Sequence, residues 1–171
     1  MYNDLKEFII FTERDGFDKN QKLKSQLYPY SSDGYSLLEL CCYHGAVDCF
    51  KLLRTKFSSE ITQKCLLFSF LGGNPEIMSE CLKYKKPEVN CLRYAIISHN
   101  IDFVTFLMNE YGLEINLDYC VRDNNIESFL VYFDKLMMLT NVLFIHLCLI
   151  FHSFANISFH VVDMSIQMLI N

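Results

Sequence analysis

The sequence predicts an all-α fold, a solenoid of stacked antiparallel helix pairs. Three observations predict it. Four segments of the first 135 residues align on one another without gaps, their apolar residues recur at helical spacing, and each is broken midway by a Gly-, Asn- or His-containing turn followed by an acid. A search for self-similarity comes before any reading of single elements, because a missed repeat misassigns the whole fold.

The amino-terminal stretch is taken first. Asn3 to Ile10 reads as the second helix of a repeat whose first helix is absent, so 1–32 is a partial repeat plus a linker. Within the linker, Phe17, Leu23 and Leu27 suggest one short helix that Pro29 ends. Asp4, Lys6 and Glu7 interrupt the apolar residues before a secretion-type core could form.

The repeats follow over 33–135, divided at about 33–57, 58–86, 87–112 and 113–135. The aligned segments occupy 37–53, 65–82, 91–107 and 116–133, and their acids are Asp48, Glu76, Asp102 and Glu127. Leu37, Leu38, Cys41 and Cys42 share one face of a first helix; Val47, Phe50 and Leu53 do so on a second, as do Ile101, Val104 and Leu107. Gly45, Gly72, Gly73, Asn74, Asn100, Asn124 and Asn125 fall where one helix stops and the chain turns left-handed. Pro75 sits just before a second helix, where its missing N–H is harmless. Each acid complements the positive end of the helix it opens. A pair this short cannot bury both apolar stripes alone, so neighbouring pairs must stack, leaving an extended concave face suited to binding.

From residue 136 the character changes. All fifteen Lys and Arg lie at or before Lys135, and Asp163 is the one charged residue beyond it. Back-translation of 136–171 read one register away gives another helix pair and a Gly-containing turn, so this apolar tail is expected to be out-of-frame sequence. The rival reading is a membrane span over about 136–155, since 136–154 is nineteen residues without formal charge. Thr140, Asn141, His146 and His152 make that span costly.

Chemistry-bearing groups are few. Cys41, Cys42, His44 and Cys49 are the most suggestive cluster, yet neighbours on a helix point about 100° apart, unlike paired zinc ligands. They read as compact core residues, and Cys65, Cys81, Cys91 and Cys120 fall on apolar stripes in the same way. Cys91 and His99 stand two turns apart, about 11–12 Å, too far for a nucleophile and base; His99 is expected in a turn. Gly72-Gly73-Asn74 lacks the Lys and Ser or Thr of a phosphate loop. Lys83, Lys85 and Lys86 read as a solvated patch. Tyr28, Tyr30, Tyr35 and Tyr43 offer either a binding surface or packing of the linker on the first repeat. No catalytic, cofactor or metal residue is assigned.

Asp33-Gly34-Tyr35-Ser36-Leu37-Leu38-Glu39-Leu40-Cys41-Cys42-Tyr43-His44-Gly45 resembles the ankyrin pattern D-G-x-T-P-L-H-x-A-A-x-x-G. Ser36 takes the Thr place and Cys41 and Cys42 the paired Ala places, while Leu37 replaces Pro and Glu39 replaces His. The wording of 33–135, including CCYHGAVDCFKLLR and AIISHNIDFVTFLMNEY, resembles the ankyrin-repeat proteins expanded in parasitic protists, whose amino-terminal domain is a domain of unknown function. That resemblance implies a start well upstream, so that Met1 would be internal, and further regular repeats that this chain lacks.

The expected function is a non-enzymatic protein-interaction scaffold for unidentified protein partners. The alternative is a small single-pass membrane-anchored protein with a cytosolic helical-repeat head. The net charge of −5 argues against nucleic acid, and no small-molecule substrate or cofactor is expected. Eight Cys without a secretion signal point to reduced thiols and a cytoplasmic location.

Overall fold

A computed structural model describes residues 3–26, 28, 33–143 and 146. Helices dominate, with two short strands between the first and second of them. The order is α1 (Leu5–Thr12), β1 (Lys22–Leu23), β2 (Tyr35–Ser36), α2 (Leu37–His44), α3 (Val47–Lys56), α4 (Gln63–Gly72), α5 (Pro75–Leu82), α6 (Val89–Ile97), α7 (Ile101–Tyr111) and α8 (Leu117–Arg122). A further helix, α9, runs over 126–143. The all-α expectation is met.

The acids set the register of this fold. Three residues before each acid stand Gly45, Gly73, His99 and Asn124, and all four have positive φ, between 51 and 69°. The residue after each of them starts a second helix. Asn74 accepts from Glu76 N–H and Ile77 N–H, Asn100 from Phe103 N–H, and Asn125 from Ser128 N–H. These side chains satisfy donors that the helix leaves without partners. In three of the turns the same two backbone bonds close the preceding helix. They are Ala46 N–H to Cys41 O with Gly45 N–H to Cys42 O, and likewise from Asn100 and His99 and from Asn125 and Asn124. Four stretches of different composition therefore make one turn.

Ala46, opening α3, has no capping side chain of its own. Asn3 supplies one from outside: its Oδ1 accepts from Asp48 N–H at 2.9 Å and its Nδ2 donates to Asp48 Oδ2 at 2.8 Å. The bond pair pins the chain ahead of α1 to α3, on which α1 packs.

The helices pack in series. α2 lies on α4, α4 on α6 and α6 on α8, while α3 lies on α5. Within pairs, α2 packs on α3, α4 on α5 and α6 on α7. The core runs between them: Cys41, Ser69, Ala95 and Cys120, all seven residues before their acids, are buried. Small residues there let consecutive first helices approach. The ring of Phe70 meets that of Phe103 edge-on at 5.6 Å, joining the second pair to the third.

The linker differs from expectation. Among the described residues no helix lies between Thr12 and Tyr35. Gly16 adopts φ 81°, and the Asp18 side chain accepts from Asn20 N–H in a turn, which breaks any helix through Phe17. Lys22 and Leu23 instead pair antiparallel with Ser36 and Tyr35. Phe17 packs between Phe11 and Phe57.

Two compact units are present, Met1–Phe129 and Leu130–Asn171. In the second, helical residues 130–143 pass Lys135 without interruption, and Thr140 donates to Met137 O among them. No helix among the described residues is long and apolar enough to cross a membrane. Residues 144, 145 and 147–155 of the expected span, and the rest of the apolar tail, lie outside the described residues.

Candidate functional site

The cysteines are core residues. Cys41, Cys42, Cys49, Cys65, Cys81, Cys91 and Cys120 are all buried free thiols. Burial raises Cys42 and Cys41, and pushes Cys91 up to about 11. A thiol held protonated is a poor nucleophile and a poor metal ligand. Cys91 sits in the first turn of α6 while His99 occupies the left-handed turn beyond its far end. Gly72, Gly73 and Asn74 form the α4–α5 turn, and Lys83 pairs with Glu80 at 2.6 Å. Among the described residues no group of three or more His, Cys, Asp or Glu is disposed to hold a metal ion.

The tyrosines do come together. Tyr28 meets Tyr43 edge-on at 5.2 Å, Tyr43 meets Phe68 at 5.4 Å, and Phe68 meets Tyr94 at 5.9 Å. Tyr35, buried, packs on Phe68 at 5.1 Å. This run crosses the first helices of three successive pairs. Arg93, beside Tyr94, carries it to the fourth by lying over the Tyr119 ring at 5.2 Å. Phe68, Tyr94 and Tyr119 occupy one column of the repeat, eight residues before their acids. Tyr30 lies outside the described residues.

Cations edge this strip. Lys64 stands over Tyr35 at 5.1 Å, and Arg122 joins Arg93 over Tyr119 at 5.7 Å. Leu67, Leu71 and Ile97 are half-buried on the same first helices. Both readings of the tyrosines have a part here: Tyr35 is core, whereas Tyr43, Tyr94 and Tyr119 are partly open to solvent. Sequence reasoning passed over Lys64, Arg93 and Arg122. The aromatic column was the available signal, readable from the ungapped alignment.

His44 joins the near end. Its Nε2 lies 2.9 Å from the Tyr28 hydroxyl, and burial lowers its pKa below the ordinary 6.5. A depressed imidazole binds fewer protons in the folded than in the unfolded chain, so stability falls as pH drops through the ordinary value. Thermal melts from pH 7.5 to 5 should show this loss, and His44→Gln should flatten it. An unchanged pH slope in that variant would assign the loss to other groups.

The fold and strip define an all-α protein of serially packed helix pairs with an aromatic, cation-edged face. Residues 57–132, from the end of α3 into α9, match the family model described as Domain of unknown function (DUF3447). No curated protein and no solved structure matches the chain.

Proposed function

We propose that the helix pairs form an ankyrin-type solenoid that acts as a non-enzymatic, cytoplasmic protein-interaction scaffold. The aromatic strip across α2, α4, α6 and α8 carries the reading. Tyr gives a large contact area at low conformational cost, and Tyr and Arg dominate the energetics of protein interfaces. Here the rings of Phe68, Tyr94 and Tyr119 recur at one repeat position and are held by their neighbours before any partner arrives, which lowers the ordering cost of association. The ankyrin assignment is supported by the Asp33 to Gly45 wording and by the four left-handed turns three residues before the acids.

Site-specific photo-crosslinking tests the surface. A benzophenone amino acid is placed at Leu71 or Ile97 on the strip, and at Thr55 or Ser79 on the second helices. Strip positions should give a discrete crosslinked protein that unlabelled chain competes away, and the other positions should not. Equal labelling from both sets would show that the strip is no privileged surface.

A further inference from the structure

We infer that the strip is built for an acidic peptide segment, whose carboxylates meet Lys64, Arg93 and Arg122 while its apolar side chains rest on Tyr43, Tyr94 and Ile97. The inference rests on the scaffold reading above and adds the chemistry of the partner. Charge pairing carries it. The ion pairs among the described residues are Lys51–Glu76, Lys56–Glu13 and Lys83–Glu80. All lie on the second helices or the linker. Lys64, Arg93 and Arg122, like most Lys and Arg of the chain, have no ion pair among the described residues. They stand over aromatic rings instead.

Arg93 adds a second observation. Its Nε is buried and lacks a hydrogen-bond partner among the described residues. A buried guanidinium N–H without an acceptor is unfavourable, a condition that Arg54 Nε shares beneath the second helices, and a carboxylate paired to the other N–H groups of Arg93 would offset it on the strip. On the same face Glu39, the acid nearest the near end, is buried and occupied by Ser36 and Thr62. Asp118 is the exposed acid of α8, one turn ahead of Arg122. Asp123, half-buried, closes the far end of α8.

A positively edged strip on a chain of net charge −5 favours a local acidic segment over a long polyanion, which the rest of the surface repels. The rings also pack edge to face with one another, leaving little flat π surface for stacked bases.

The test is fluorescence anisotropy with the full chain and three labelled probes: a Glu-rich peptide with spaced Leu and Phe, the same peptide with Gln for every Glu, and oligothymidylate. The acidic peptide should bind at least about tenfold more tightly than the Gln peptide, a preference that shrinks as salt screens it. Arg122→Gln and Lys64→Gln, both at exposed positions, should each weaken the acidic peptide about threefold to tenfold, with Lys51→Gln unchanged. Arg93→Gln should weaken it further, with melts confirming the fold. Equal binding of both peptides, with Leu71 and Ile97 still crosslinking a partner, would overturn the acidic preference and leave the scaffold reading standing. Tighter binding of oligothymidylate would overturn it in favour of nucleic acid. No peptide binding, with crosslinks equally on the second helices, would overturn both readings.

Discussion

Gly72→Ala should destabilise the chain by about 3 kcal/mol or more, lowering the melting temperature by roughly 6–12 °C. The end of α4 lies against the turn that follows α2, backbone on backbone. A Cβ on Gly72 would overlap the Cys42 carbonyl oxygen and reach 2.8 Å from Gly45 N. Neither is a flexible side-chain tip, so relief requires the first two helix pairs to move apart and to loosen the buried Cys42 and Cys65 between them. Gly45 shows the same approach from the other side, with a Cβ meeting Gly72 O at 2.6 Å. Gly73 is the control. Its φ is 69°, nothing stands within 4 Å of an added Cβ, and the equivalent positions of the later repeats carry His99 and Asn124. Gly73→Asn should therefore cost less than about 1 kcal/mol, the residual preference for glycine in that conformation. Chemical denaturation of the variants measures both. Similar losses at Gly72 and Gly73 would mean that backbone conformation, and not the close approach, makes glycine necessary.

The contrast shows what the sequence could say. Helix existence, the turn positions and the buried stripes were legible because they depend on local spacing: the left-handed residue keeps a fixed distance from the acid even where Gly has become His or Asn. The difference between Gly72 and Gly73 was not legible. It depends on which backbone atoms of another pair lie nearby, and adjacent glycines look alike in a string. The linker failed for a related reason. Phe17, Leu23 and Leu27 ahead of Pro29 suggest a short helix, but the pairing of Lys22 and Leu23 with Ser36 and Tyr35 is a non-local contact that no short window contains. Asn3 as the cap of α3, 45 residues away, was hidden in the same way. Of the candidate surface, the tyrosines were visible and their cations were not. Lys64, Arg93 and Arg122 acquire meaning only when stacking brings them over the rings.

Glu39→Ala should cost about 2–3 kcal/mol, although the position departs from the ankyrin wording and reads in isolation as a surface acid. The side chain is only 6 % exposed. Its Oε2 accepts from Ser36 N–H at 3.0 Å, while Glu39 N–H donates to Ser36 Oγ at 3.2 Å, closing a capping box at the start of α2. Its Oε1 accepts from the Thr62 hydroxyl at 2.8 Å, and Thr62 in turn caps α4 by accepting from Cys65 N–H. One carboxylate thus joins the opening turns of two successive first helices. Alanine removes both bonds and leaves Ser36 N–H and the Thr62 hydroxyl without acceptors in a half-buried site. Glu39→Gln should lose less, about 1 kcal/mol, because its amide oxygen can keep the Ser36 bond while its NH2 donates to Thr62 Oγ1. A double-mutant cycle with Thr62→Val isolates the link between pairs, and a coupling of about 0.5–1.5 kcal/mol is expected. Strict additivity would show that Glu39 stabilises α2 alone, and that the apolar core carries the first interface unaided.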